Sequence, residues 1–267
     1  MGPSSRPIHC SMAAFPGMSH LDAVQLAIAR QATGQLEESA LGPISLGHVQ
    51  LVPQNRGCID PCLASGLREA YPHIQFRLHA NVRVSDRWAI YDLAGFKLLH
   101  SHFVEAARIH ALLGATAYSA HSGRRDQATL PELFDYARRA TDLFNSPVAI
   151  EGQYPTAHNE YLISSWQEYQ TLFESGVPYA LDLSHLNIVA QQTGETWTTL
   201  VREMLSSDRC LEVHLSDNDG TGDHHQRLNR QPWWFDLLMD INPDAVLFTE
   251  GNHLFQRKGN GYGNSTT

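Results

Sequence analysis

The segment Pro178-Tyr-Ala-Leu-Asp-Leu-Ser-His185 is a short apolar run that ends in a carboxylate and an imidazole. In a parallel α/β barrel the carboxyl ends of the strands build the active site, whereas the opposite rim serves stability. Metal-binding side chains at the end of such a run are therefore expected to face a reaction cavity. The same pattern recurs along the chain, and the fold can be predicted from that recurrence.

Short apolar runs alternate with longer amphipathic runs, which is typical of repeated βα units around a parallel sheet. Eight predicted strands are Pro7–Ala13, Leu46–Pro53, Gln75–Val82, Ala115–His121, Pro147–Glu151, Pro178–Leu183, Cys210–Ser216 and Ala245–Glu250. The predicted helices are His20–Ala32, Asp60–Ala70, Lys97–Leu113, Pro131–Phe144, Asn159–Glu174, Trp197–Ser206 and Trp233–Asp240. This order favours an α/β protein with a (β/α)₈ TIM barrel, a normal size for 267 residues.

The segments after the first and after the last predicted strand both bear on the fold. Residues Ala13–Gly17 lack the GxGxxG phosphate turn of a doubly wound sheet, which also favours the barrel. One barrel domain is predicted over residues 1–255, followed by a disordered tail at 256–267. Because no helical pattern follows Glu250, we expect the last outer helix to be missing or replaced. A partner subunit of a homo-oligomer is then expected to cover the strands there.

Composition limits the class of protein. The net charge of −9 disfavours DNA as a partner, because nucleic-acid binders carry a basic surface. No apolar stretch approaches the roughly 20 residues needed to span a bilayer. The four cysteines form no CxxC pair and no secretory signal is recognisable, so they are interpreted as reduced thiols. A cytoplasmic protein without a membrane segment is expected.

Nine side chains of metal-binding types lie at or just past predicted strand ends. Imidazoles together with carboxylates suit borderline divalent metals such as zinc, manganese or iron. Nine ligands are too many for one ion, so a cluster of about two or three ions is predicted. The predicted ligands are His79, His121, Glu151, Asp182, His185, His214, Asp223, His225 and Glu250.

These segments resemble the xylose isomerase-like TIM-barrel superfamily, and within it the endonuclease IV-like branch. The matching segments are Leu78-His-Ala80, Ser119-Ala-His-Ser-Gly123, Ala149-Ile-Glu-Gly152, Leu181-Asp-Leu-Ser-His185, Val213-His-Leu-Ser-Asp217, Asp223-His-His225 and Phe248-Thr-Glu-Gly251. They follow the family's order from about residue 7 to 253. The resemblance implies a trinuclear centre, because endonuclease IV-like proteins bind three metal ions with the residue types found at these nine positions.

Sugar isomerases and epimerases of the same superfamily also look similar, but at a smaller set of ligand positions. In them the ligands would be Glu151, Asp182, His214 and Glu250, with His185 touching the substrate. His224 departs from the endonuclease IV-like pattern, which usually has Arg between the Asp and His of that motif. The chain is also short, with little room for loops that would open a DNA duplex.

Four polar side chains near the ligands are predicted to contact the substrate. Arginine binds phosphate or carboxylate groups well, and several arginines follow the ligand segments. The predicted substrate-binding residues are Arg124, Arg125, Asp217 and Arg227.

Several functions are compatible with the predicted ligands and substrate-binding residues. The first is a multinuclear metal enzyme acting on a small phosphorylated or polyhydroxylated substrate, either as a hydrolase or through Lewis-acid chemistry, with Glu151, Glu250 and His185 as catalytic residues. The second is a sugar or sugar-phosphate isomerase or epimerase with a single manganese or zinc ion, in which Glu151 and Glu250 move a proton. The third is a multinuclear iron oxidase or oxygenase, and the fourth is a non-catalytic binding barrel.

Overall fold

Strands and helices alternate along residues 6–254, the part of the chain that this computed structural model describes. The strands are β1 (Ile8–Ser11), β2 (Glu37–Glu38), β3 (Gly42–Leu51), β4 (Gln75–Leu78), β5 (Tyr118–His121), β6 (Val148–Glu151), β7 (Tyr179–Asp182), β8 (Cys210–Leu215) and β9 (Val246–Thr249). The α-helices are α1 (His20–Ala32), α2 (Pro61–Ala70), α3 (His100–Leu113), α4 (Leu130–Phe144), α5 (Trp166–Glu174), α6 (Leu183–Thr193) and α7 (Thr198–Ser206). Short 3₁₀ helices span Met12–Ala14, Leu93–Gly95 and Phe235–Asp240.

Eight of the strands close into a parallel barrel. Their hydrogen-bonded order is β3-β1-β9-β8-β7-β6-β5, and β4 pairs with the other side of β3. A parallel bridge between His79 and Ser119 joins the end of β4 to β5, and the Ala80 amide donates to the Ser119 carbonyl at 3.0 Å. The short β2 adds an antiparallel pair to the start of β3. The predicted (β/α)₈ architecture is confirmed in these residues.

Two helices differ from their predicted bounds for local reasons. The helix predicted from Asn159 begins at Trp166, because Ser165 accepts a hydrogen bond from the Glu168 amide as its N-cap. Asn159 and Ile163 before it have positive φ angles of 48° and 54°, which a helix does not allow. The helix predicted over Trp233–Asp240 is a 3₁₀ helix that starts at Phe235.

Helix α6 was not predicted, because its first two turns are buried on every side. Residues 183–190 are all buried, so the polar face that reveals an amphipathic helix is missing from the sequence. Asp182 caps this helix by accepting hydrogen bonds from the Ser184 and His185 amides at 2.6 and 3.1 Å. The chain therefore turns directly from β7 into α6 at one of the predicted metal ligands.

The predictions about the C-terminal end of the chain remain predictions. The predicted domain limit at residue 255 and the predicted tail at 256–267 lie outside the described residues. Most of the region where the last outer helix is predicted to be missing also lies outside the described residues. The partner subunit that would cover this region stays a prediction. Within residues 6–254 no helix combines the length and apolar character needed to cross a membrane.

Candidate metal centre

Six of the predicted ligands form a ring at the carboxyl ends of six consecutive barrel strands. They lie at the end of β5, β6 and β7, within β8, and directly after β4 and β9. Together with His185 in the first turn of α6, they form three groups of ligand atoms, and within each group all atoms lie within 4.8 Å of one another. The groups are His79–His121–Glu151, Glu151–Asp182–His185 and Asp182–His214–Glu250. Glu151 and Asp182 each belong to two groups, so the three groups form one continuous cluster.

Glu151 lies in the middle of this cluster. Its Oε2 lies 3.4 Å from His79 Nε2 and 3.2 Å from His214 Nδ1. Its Oε1 lies 3.7 Å from His121 Nε2. His185 Nδ1 is also 3.7 Å from Oε1 but is bonded to the Gly152 carbonyl, and its Nε2 faces Asp182 and Asp223. Both oxygens of one carboxylate therefore face imidazole nitrogens on several sides, which is the arrangement expected of a carboxylate that bridges two metal ions.

The loop after β8 brings the remaining two predicted ligands to the same cluster. His225 Nε2 lies 2.8 Å from Asp223 Oδ2, and its Nδ1 lies 3.7 Å from Glu250 Oε2. Asp223 Oδ2 lies 3.5 Å from His185 Nε2. His225 has a positive φ of 45°, so the backbone is not extended at this ligand. The His224 side chain points to the loop instead, and its Nε2 contacts the Thr221 hydroxyl at 3.3 Å.

The histidines at the strand ends are held by their outer ring nitrogens. His79 Nδ1 contacts Ser119 Oγ at 3.1 Å, and His121 Nδ1 contacts Asp92 Oδ1 at 3.3 Å. The Gly152 carbonyl lies 2.9 Å from His185 Nδ1. Outer-nitrogen hydrogen bonds of this kind fix the tautomer and the ring orientation of metal-binding histidines.

His214 is held in the same way from below. Its Nε2 lies 3.1 Å from Oε2 of the fully buried Glu212. Its Nδ1 faces Glu151 and Glu250, whose oxygens lie at 3.2 and 3.8 Å. Glu212 was not predicted as a site residue, although its position two residues before His214 places both side chains on one face of β8. Asp92, by contrast, lies in a long loop and gave no periodic signal.

Charge within the cluster explains its unusual acid–base behaviour. Burial disfavours the protonated, charged forms of His185 and His225. The negative charges of Asp182 and Asp223 near His185, and of Asp223 and Glu250 near His225, outweigh this effect of burial. The pKa of His185 rises to about 10 and that of His225 to about 9. Burial raises the pKa of Glu250 to about 7, because the nearby histidines offset burial and the acids Asp182 and Glu151 only in part.

Two buried atoms in the cluster fit the chemistry of a cation site. Glu151 Oε2 and His214 Nδ1 are buried and lie 3.2 Å apart, and neither forms a hydrogen bond of good geometry among the described residues. Buried polar atoms normally have partners, and both atoms are ligand types for zinc, manganese or iron. The donor set and its outer hydrogen bonds therefore fit divalent metal ions.

Local sequence features place these ligands. Gly152 follows Glu151, and a Cβ on it would lie 2.3 Å from the Tyr169 ring. The Tyr169 hydroxyl donates to the Gln153 carbonyl at 2.9 Å, so glycine lets α5 pack tightly beneath this ligand. Asn81 after His79 has a positive φ of 67°, a conformation that asparagine tolerates better than most residues.

The predicted substrate-binding arginines already have acidic or carbonyl partners. Arg124 pairs with Asp126 at 3.2 Å on the surface, and Arg125 forms two hydrogen bonds to Glu168 at 2.6 and 2.8 Å. Arg227 donates to the Glu37 carbonyl. These contacts hold loops together, and a substrate role for the arginines stays a prediction.

A cavity opens beside His225 at the barrel mouth. It measures about 840 Å³, and its lining includes Asp217, Asn218, His224, Gln226 and Asn252. Arg227 and Arg230 also line it, and Arg230 pairs with Asp217 at 3.0 Å. The cavity is lined mainly by amide, imidazole and paired charged groups, which suits a small polar molecule.

Solved structures of other proteins share the fold of this chain. No protein-family model and no curated protein matches the chain. A D-tagatose 3-epimerase-like protein is similar over 93% of this chain and 91% of its own, with 13% identity and a TM-score of 0.66. A family 2 AP endonuclease from Brucella melitensis is similar over 94% of both chains, with 13% identity and a TM-score of 0.61. The IOLI protein with a zinc atom is similar over 91% of this chain and 88% of its own, with 11% identity and a TM-score of 0.59.

These likenesses bear on the fold. The similar structures include an epimerase-like protein and an endonuclease, which carry different chemistry on one architecture. The chain therefore shares the TIM-barrel fold of these structures.

Proposed function

We propose that this chain is a divalent-metal-dependent enzyme whose centre holds more than one ion and acts on a small polyhydroxylated or phosphorylated molecule. The observation that carries the proposal is the pair His79 and His121, whose inner nitrogens both face Glu151. A one-ion centre built from Glu151, Asp182, His214 and Glu250 has no need of this pair. The zinc atom in the structurally similar IOLI protein supports a metal in this fold.

The residues would divide the work as follows. His79, His121 and Glu151 would hold one ion, and Glu151, Asp182, His214 and Glu250 would hold another. His185, Asp223 and His225 complete the predicted ligand set and would hold a third ion. Bound divalent metal supplies Lewis acidity and lowers the pKa of water from 15.7 to about 7.

The protein itself supplies orientation and an acid–base group. Glu250 would serve both as a ligand and as this acid–base group. In the metal-free cluster burial raises its pKa to about 7. The cavity beside His225 would position hydroxyl groups of the substrate through Gln226, Asn252 and Asp217.

A second candidate is a sugar isomerase or epimerase with one ion, and the structural likeness to a D-tagatose 3-epimerase-like protein favours it. In this reaction Glu151 and Glu250 would act as the acid–base pair, one removing a proton from a carbon and the other returning it. Both carboxylates are buried and face the same nitrogen, His214 Nδ1, so they border one space.

Metal content separates the two candidates. Protein purified without added metal should contain about two or three ions per chain by elemental analysis. The variant His79→Ala should lose close to one ion and keep the remainder. One ion in the wild type that persists in His79→Ala would support the one-ion epimerase, and an absence of bound metal would contradict both.

His110→Ala is a matched control for that variant. His110 is also a buried histidine with a serine partner, Ser146 at 2.7 Å, and it lies on α3 outside the cluster. Equal loss of metal in both variants would mean that the loss reflects general damage to the fold.

A further inference from the structure

A buried polar layer lies directly beneath the metal centre, inside the barrel. Gln50 from β3, Arg77 from β4 and Glu212 from β8 are all buried. Strand β8 is bonded to β7 and β9, and not to β3 or β4, so contacts among these residues cross the barrel interior. In TIM barrels this interior is dominated by branched apolar side chains. A charged layer at this position therefore calls for a specific role.

The layer is connected by short contacts to one ligand. Arg77 Nη1 donates to Glu212 Oε1 at 2.9 Å, and Gln50 Nε2 donates to Glu212 Oε2 at 3.0 Å. Both Glu212 Oε2, at 3.1 Å, and Gln50 Nε2, at 3.0 Å, contact His214 Nε2, and the carboxylate is the only one of the two atoms that can accept a proton from it. Glu212 is thus held by two donors and has its second oxygen directed at the outer nitrogen of a predicted ligand.

Stability alone does not account for these groups. A buried ion pair is often no more stabilising than apolar residues of similar volume, because both charges lose their hydration. The position of Glu212 on His214 has a clear chemical consequence instead. A proton on Nε2, donated to Glu212, leaves the Nδ1 lone pair directed at Glu151 and Glu250.

We propose that Glu212, held by Arg77 and Gln50, is a positioning residue that fixes the tautomer and ring orientation of His214 for metal binding. This inference rests on the proposed function, since it assigns a role toward the same centre. Substitution of such an outer partner typically lowers metal affinity by about 10- to 100-fold. Glu212→Gln should show a loss of that size, because a glutamine amide can donate to Nε2 and thereby favour the proton on Nδ1.

The test is a zinc titration of metal-free protein in competition with a chromophoric chelator. Glu38→Gln is the matched control, since Glu38 is also fully buried and contacts a histidine, His253 Nε2, at 3.0 Å. His253 is not among the predicted ligands. The proposal expects about a 10- to 100-fold weaker affinity in Glu212→Gln and an affinity close to wild type in Glu38→Gln.

A second readout separates positioning from general damage. The ¹⁵N shifts of the His214 ring in the zinc-loaded protein report which nitrogen carries a proton and which one binds zinc. They should indicate Nε2–H and a zinc-bound Nδ1 in the wild type, and Glu212→Gln should move population toward Nδ1–H with no zinc on that nitrogen. Unchanged ring shifts together with unchanged zinc affinity would overturn the role of Glu212.

If Glu212→Gln does not fold, the double variant Arg77→Met, Glu212→Met removes both charges and leaves neither buried alone. It should fold and still bind zinc at least about tenfold more weakly than the wild type. Wild-type affinity in the double variant would overturn the proposal. A wild type that binds no zinc would instead contradict the proposed function, so the two failures are distinguishable.

Discussion

At the scale of single residues, the metal centre depends on which nitrogen each histidine turns inward. Ser119, Asp92, Glu212 and the Gly152 carbonyl occupy the outer nitrogens of four histidines. The ligands themselves could be predicted, because each stands at a fixed place relative to a strand end. Their outer partners could not all be predicted, because Asp92 and Ser119 are distant in sequence from the histidines they contact and lie beside them only in the folded barrel.

Zinc affinity is expected to rise with pH. In the metal-free protein Asp182, Asp223 and Glu250 help to raise the pKa values of His185 and His225, to about 10 and 9. Metal must displace these protons, because a ligand histidine binds in its neutral form. Competition titrations between about pH 6.5 and pH 9 should show progressively tighter binding, with proton release detected calorimetrically in two buffers. A pH-independent affinity would count against these histidines as ligands.

Stability of the metal-free protein should change with pH in the opposite direction. The two histidines have pKa values near 6.5 in the unfolded chain and higher values in the folded chain. Their contribution is fully present below about pH 6.5 and is lost as pH rises through 9 and 10. Urea unfolding in the presence of a chelator should therefore give a free energy of unfolding that falls across this window. A His185→Gln, His225→Gln double variant should show a flatter dependence.

At the scale of secondary-structure elements, Asp182 joins two roles at the turn from β7 to α6. It belongs to two of the three ligand groups, and it caps α6 through the Ser184 and His185 amides. The strand could be predicted from its apolar run and its terminal ligand. The helix could not, because its buried first turns show no amphipathic period.

Two substitutions at Asp182 should separate these roles. Asp182→Asn retains a side-chain oxygen that can cap the helix, so it should lower metal affinity with little loss of metal-free stability. Asp182→Ala removes the cap as well and should cost about 0.5–2 kcal/mol more in the free energy of unfolding. Chemical denaturation of both variants in chelator measures this difference. Equal metal-free stabilities would show that Asp182 is not an effective cap.

At the scale of the whole molecule, the alternation of apolar and amphipathic runs was sufficient to predict the barrel. Closure between β4 and β5 was not visible in sequence, since it rests on one bridge at His79 and Ser119. The polar layer of Gln50, Arg77 and Glu212 was missed because the three residues are far apart in the sequence and meet only across the barrel.

Metal should stabilise the whole barrel, because its ligands come from the ends of six strands, from helix α6 and from the loop after β8. A ligand that binds the folded state alone adds about 2.7 kcal/mol when its concentration is 100 times its dissociation constant. Thermal unfolding should therefore shift upward on zinc addition and downward on chelation. His79→Ala should show a smaller zinc-dependent shift than His110→Ala. An unfolding temperature insensitive to both zinc and chelator would contradict a structural coupling between metal and barrel.

The most direct test of the central claim is anomalous diffraction from crystals of the zinc-loaded protein. The account predicts two or more anomalous peaks, with Glu151 oxygens at about 2.0–2.2 Å from at least one of them. One of the peaks should lie within about 2.0–2.1 Å of both His79 and His121 nitrogens. A single peak bound by Glu151, Asp182, His214 and Glu250, with none near His79 and His121, would contradict the multinuclear centre.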